Sequence, residues 1–329
     1  MADIEVKYYS KEHEAAHRVF AQKYWSKKRR LIPDYIYWKF RGNPTSELKS
    51  FILAFDGEEV VGQFGLVPCK ILIDDELIEA QWACDLMVDT QYRGKGVAEK
   101  LYNFAHKNKP ITLGSDPSPA AEKSMIKKGY ITLDGPRKFL FPIKVGEIFK
   151  LKRITIPFLN KIPNPFLPFL YFFKNNKFKL IEPKEYGLLA NATDSNELKC
   201  YYDTDFYNWR FSKFHPYYQG IDCYKNEDGT IFTGYFVNDI YLLTDFKVNG
   251  LRSFMSIIAF IYFKYRKMNL LRIKFVSKEV FLNNKLPFLG FIRFSTRTKV
   301  ILFTYIDEIK EYVINKKFSY TLHDSDENI

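Results

Sequence analysis

At 329 residues and 39.0 kDa the chain is long enough for two domains of ordinary size, each with its own core. Lys and Arg number 50 against 38 Asp and Glu, a formal charge of +12. That balance favours anionic partners, but the basic residues are scattered, so charge alone does not choose among nucleotides, nucleic acid and acidic headgroups. The four cysteines, 69, 84, 200 and 223, show no CxxC pairing, and no run of about eighteen uncharged apolar residues occurs. A disulfide scaffold and a membrane-spanning helix are therefore excluded.

The first twenty residues lack the apolar h-region of a signal peptide, so a cytoplasmic location is expected. They read as a short strand from Ile4 followed by a helix. That helix carries His13-Glu14-Ala15-Ala16-His17, a match to HExxH, which on a helix sets two imidazoles on one face beside a glutamate. No third ligand is signalled downstream, where only His106, His215 and His323 remain. The motif is read as the polar face of the first helix, and no metal is expected.

Asp34 to Pro44 follows, with Trp38 and Phe40 as core aromatics and Arg41 and Asn43 as candidate substrate-pocket residues. Residues 51–55, 60–73 and 80–88 read as strands. The last of these runs into Val88-Asp-Thr-Gln-Tyr-Arg-Gly-Lys-Gly-Val-Ala98. Gly94 and Gly96 let the backbone approach a ligand closely, and a helix beginning near Gly96 points unpaired N–H groups and a partial positive charge at it. This is an anion cradle suited to a pyrophosphate. GKGVAE fits neither a Walker loop nor a dinucleotide fingerprint.

Arg93-Gly94-Lys95-Gly96-Val97-Ala98, behind a hydrophobic strand ending Leu86-Met87-Val88, resembles motif A of the GNAT acyltransferase superfamily, Gln/Arg-x-x-Gly-x-Gly/Ala. The resemblance implies that Arg93 to Ala98 hold the pyrophosphate of an acyl-coenzyme A. It also implies that backbone N–H groups around Leu86 and Val88, where their strand splays from its neighbour, contact the pantetheine and the developing oxyanion. The co-substrate expected is acetyl-CoA or another acyl-CoA.

Amine attack on a thioester needs a neutral amine and a proton for the leaving thiol. Asp85, a carboxylate inside an apolar run, is the candidate base, the alternative being an acid paired with a neighbour. Period-two alternation puts Ala83, Asp85 and Met87 on one face. Many superfamily members carry a Tyr four residues before the glycine of a late aromatic–Gly pair; counting from Gly129 that place is Met125, which has no proton to give. Ser124, Tyr130, Ser115 or Ser118 is a substitute, or the thiolate leaves unassisted.

Residues 151–179, aromatic and broken by Pro157, Pro163, Pro165 and Pro168, read as an interdomain linker packed into a seam, with a weak membrane-surface patch as the alternative. Beyond it the chain repeats: Trp38-Lys39-Phe40 returns as Trp209-Arg210-Phe211, and Gly129-Tyr130 as Gly290-Phe291. The expected fold is α/β: two tandem GNAT-like domains, 1–145 and 178–329 about a 146–177 linker, each a mixed, mostly antiparallel twisted sheet flanked by helices. The second copy reads FKVNGLRSFMS where the first has its cradle, so one donor site is expected, with the second half building the acceptor pocket from Arg210 and His215.

The function expected is transfer of an acyl group from coenzyme A to a primary amine, that of a nucleotide-linked amino sugar of surface-polysaccharide synthesis by analogy with two-domain members of this size. Another small amine, or a non-enzymatic acyl-CoA sensor, is the alternative. No nucleic-acid partner is expected.

Overall fold

A computed structural model describes residues 3–25, 33–73, 76–151, 153–191, 198–212, 214, 221–314 and 318–324. His215, expected in the acceptor pocket, lies outside them.

The first half runs β1 (Ile4–Tyr9), α1 (Glu14–Tyr24), α2 (Pro33–Lys39), β2 (Leu48–Asp56), β3 (Glu59–Ile73), β4 (Glu76–Val88), α3 (Val97–Ala105), β5 (Ile111–Ser115), α4 (Pro119–Lys127), β6 (Ile131–Pro142) and α5 (Gly146–Lys150). After two 3₁₀ segments come β7 (Lys179–Ile181), α6 (Pro183–Asn191), β8 (Leu198–Cys200), α7 (Thr204–Arg210), β9 (Ile221–Lys225), β10 (Ile231–Val237) and β11 (Ile240–Lys247). The chain then continues through α8 (Leu251–Tyr265), β12 (Arg272–Ser277), α9 (Val280–Lys285), β13 (Ile292–Thr304), α10 (Asp307–Ile314) and β14 (Phe318–Ser319).

All of these strands join one sheet, in the order β1-β2-β3-β4-β5-β13-β6-β12-β11-β10-β9-β7, with β8 attached to β3 and β14 to β8. Along that path every pair is antiparallel except β4 with β5 and β11 with β12. The order reads alike from either end. Its centre is an exchange: β13 lies between β5 and β6, and β6 lies between β13 and β12. The last long strand of each half is thus hydrogen-bonded to the other half.

Amphipathic spacing explains how the flanking helices dock. Val97, Leu101, Tyr102 and Ala105 of α3 bury one stripe against Ile52, Val61 and Phe64. The more apolar α8 buries Phe254, Ile257, Ile258 and Ile261 against Phe232, Leu243, Ile273 and Phe275. Each helix follows a strand, β4 or β11, that runs parallel to the next.

The repeated tryptophans meet. Trp38 Nε1 donates to the Trp209 carbonyl (3.1 Å), Trp209 Nε1 donates to the Trp38 carbonyl (2.6 Å), and the rings lie 5.9 Å apart. Reciprocity of this kind is what a local two-fold contact produces. In the proline-broken segment Leu167 and Leu170 are buried, while Phe158, Phe169 and Phe172 are exposed.

Candidate active site

The cradle is built from the end of β4 outward. Asp89 N–H bonds the Val61 carbonyl (2.9 Å), and the Asp89 carboxylate accepts from the Gln91 N–H (3.0 Å), capping a 3₁₀ turn over Thr90–Tyr92. The Gln91 N–H and Lys23 hold that carboxyl below its usual range. Tyr92 Oη donates to Asp56 (2.7 Å), so both ends of the loop are tied to the sheet. Gly94 and Gly96 then take left-handed backbones, φ 77° and 83°, and a Cβ on either would meet nothing within 4 Å. Backbone conformation demands glycine there, and the space beside it is open to a ligand. The first-turn amides of α3 have no intrahelical acceptor and face out of that end of the helix, with Arg93 and Lys95 exposed beside them. An acyl-CoA pyrophosphate fits these groups.

The splay expected from the family is present. β4 pairs with β5 only from Ala80–Ile111 to Trp82–Leu113, although β4 continues to Val88. Because the Asp89 N–H points to β3, alternation turns the amides of Val88 and Leu86 to the edge that β5 has left. Their side chains pack on the α3 face.

Asp85 departs from simple alternation. The β3–β4 register slips between Gln63–Met87 and Gly65–Cys84, and Asp85 is left-handed at φ 49°. This is a β-bulge, and it corrects the expected face assignment. Cys84 and Met87 pack on the α1/α2 side, while Ala83, Leu86 and Val88 pack on the α3 side. Asp85 itself forms a buried ion pair with Lys39 Nζ at 2.6 Å. Gln63 Nε2 donates to the Asp85 carbonyl (3.2 Å) and Gln63 Oε1 faces His17 Nε2 (3.0 Å). His17 is therefore not on a polar surface as expected: it is buried, and burial lowers its imidazole to about 4. His13 instead takes the Ser10 N–H on Nδ1, and among the described residues no three His, Cys, Asp or Glu side chains are grouped to hold a metal.

Where β4 and β5 part, a cavity of about 30 Å³ opens between Ala83 and Cys84, Ser115 at the end of β5, Trp82, the α7 residues Phe206, Trp209 and Arg210, and Tyr202, His323 and Asp324. That volume takes a water or an amine head. Asp324 Oδ2 accepts from the Thr321 N–H (2.8 Å), and Oδ1 is buried. Burial pushes the Asp324 carboxyl up to about 6 against the Thr321 N–H, the Tyr202 hydroxyl and the Cys200 thiol, with Asp245 adding to the rise. Burial, then Arg210, lowers His323 to about 3, so this imidazole is neutral.

The expected site residues are thus divided. Arg210 lines the cavity, and the guanidinium groups of Arg41 and Arg210 lie 5.1 and 5.9 Å from the Trp209 ring centroid. Asn43 shares a broad open groove with Arg41 and caps Thr45. Ser115 reaches the cavity, while Asp85, Ser124 and Tyr130 do not line it. Ser124 is half-buried on α4. Tyr130 is in the α3 core, its hydroxyl 2.9 Å from His106 Nε2, and burial raises it well above the usual phenol range. Ser118 caps α4. Tyr202, His323 and Asp324 were not anticipated: β14 pairs with β8, and β8 with β3, so only sheet topology brings residue 324 to Cys84.

With this geometry in view, residues 7–109 match the acetyltransferase (GNAT) domain family. The match spans about a third of the chain and lies in its first half. No curated protein matches its sequence. Among solved structures it is similar to a GCN5-related N-acetyltransferase from Anabaena variabilis ATCC 29413, with TM-score 0.58 and 13% identity over 91% of this chain and 72% of that one. A GCN5-related N-acetyltransferase from Kribbella flavida gives TM-score 0.59 and 11% identity over 91% and 70%. Saccharomyces cerevisiae N-myristoyltransferase with bound myristoyl-CoA gives 0.57 and 13% over 93% and 80%. At these identities the likeness is one of fold. No helix among the described residues is long and apolar enough to cross a membrane.

Proposed function

We propose that the protein binds acyl-CoA through Arg93 to Ala98 and the free β4 edge at Leu86 and Val88, and transfers the acyl group to a primary amine held in the cavity beside Cys84. The observation that carries this reading is the position of that cavity: it opens where β4 and β5 separate, with a buried carboxylate on its far wall. The thioester supplies the electrophilic carbon. Asp324, whose carboxyl has a raised pKa, takes the amine proton, while the Asp85–Lys39 pair holds the bulge that aims the β4 amides. As the C–N bond forms and the C–S bond breaks, the thiolate takes its proton from solvent, directly or relayed through the Ser115 hydroxyl, which regains a proton from water as it gives one.

For the acceptor we carry forward a nucleotide-linked amino sugar. Two arginines about the Trp209 ring suit an anionic, stacking group better than a polyamine. We further read 178–329 as a degenerate copy of 1–145 about the 146–177 linker, supported by the reciprocal Trp38–Trp209 bonds and the mirrored strand order.

Thiol release from acetyl-CoA and myristoyl-CoA, with a panel of amino sugars and simple amines, tests the reading. Amine-dependent release is expected, with kcat/KM falling below about pH 6 as Asp324 protonates. D324N should cost about 10²-fold or more while CoA still raises Tm. If CoA leaves the wild-type Tm unmoved, the donor assignment is wrong; unchanged rates in D324N remove Asp324 alone.

A further inference from the structure

Between Glu147 and Glu182 the sequence holds seven Lys and Arg, at 150, 152, 153, 161, 174, 177 and 179, and no acid. Leu167–Phe173 in this stretch is a 3₁₀ helix, in which side chains three apart eclipse. One ridge, Leu167 and Leu170, is buried against α8. The next ridge is Phe166, Phe169 and Phe172, which are 38%, 37% and 83% exposed. Phe166 lies against Gly290, where a Cβ would come within 2.5 Å of its ring, so the ridge abuts the turn carrying Phe288, itself 82% exposed. Lys174 and Arg266 flank it, the first over the Phe263 ring and the second beside Tyr171 Oη.

The geometry points to an anionic lipid surface as the partner of this ridge. Exposed phenylalanine tips enter the boundary between headgroups and acyl chains, and Lys174 and Arg266 beside them, the former in a stretch of sequence without acids, meet the negative headgroups. Self-association through the same face would bring two basic rims together, which disfavours a second copy as its cover. Docking through this ridge holds the proposed acyl-transfer site at a bilayer.

Flotation with phosphatidylcholine vesicles containing about 30% phosphatidylglycerol tests this. The full chain should partition at least about tenfold better to them than to phosphatidylcholine alone, and lose that preference in high salt. F166S/F172S/F288S should reduce partition about tenfold with the CoA-induced Tm shift intact. K174E/R266E, which leaves the aromatics in place, should do the same and covers the case in which the first variant does not fold. Absence of wild-type binding, wild-type partition in a folded variant, or a dimer in light scattering that F172S dissolves would each overturn the proposal. The CoA shift reports separately on the donor site.

Discussion

The ends of β4 and β11 are alike in backbone and different in chemistry. Each strand leaves its parallel neighbour after three paired residues, Trp82 in one and Leu242 in the other, and each has a register slip beside an aspartate, Asp85 or Asp245. Asp85 is ion-paired with Lys39, whereas Asp245 accepts from Tyr186 Oη (2.8 Å) and burial raises its pKa. Beyond β4 comes a pinned loop with two left-handed glycines. Beyond β11 comes only Val248 to Gly250, and Gly250 is extended at φ 161°. The splay is therefore a property of the fold, and the glycine loop is what distinguishes the proposed anion site from its counterpart.

Substitutions at matched positions break or sharpen that comparison. The largest effect is expected at the two glycines: G96E should abolish the CoA-induced rise in Tm by placing a carboxylate at the cradle in a disfavoured backbone, while G250E keeps it. Equal losses in thermal shift would mean that the two helix ends are not distinguished. The aspartates come next. D85N removes the carboxylate charge that faces the buried Lys39 and should cost about 3–5 kcal/mol in urea unfolding, and K39M/D85L should recover much of that. D245N removes one acceptor from a neutral partner and should cost about 1–2 kcal/mol.

Acidification gives a smaller, distributed effect. His17 and His323 have folded pKa values near 4 and 3, below the ordinary 6.5. Their contribution is complete above pH 6.5 and is lost as pH falls toward those values, because the unfolded chain binds the protons first. Denaturant midpoints should drop between pH 6.5 and 4, and H17Q should shallow the slope. K95A should be smallest, a few-fold weakening of CoA binding that fades in high salt, since Lys95 is exposed.

Much of this was legible in the chain. Alternation and turn residues located β2, β3, β4 and the start of α3, and glycine spacing located the glycine turn, because those features rest on contacts within a few residues. The repeat spacing also named the pair, Trp38 and Trp209, that meets across the molecule. The bulge at Asp85 escaped, since one inserted residue changes no composition and period-two reading runs straight through it. His17 escaped for the same kind of reason: its neighbours look polar, yet Gln63 and a ring of aromatics enclose it.

The sequence by itself determined the proposed donor side, where a helix start and two left-handed glycines are local requirements of the backbone. Only the tertiary structure decided the proposed acceptor side. There the exchange of β6 and β13 and the β14–β8–β3 pairing carry Asp324 and Tyr202 to the mouth of the splay, and such long-range pairing leaves no periodic trace in the chain.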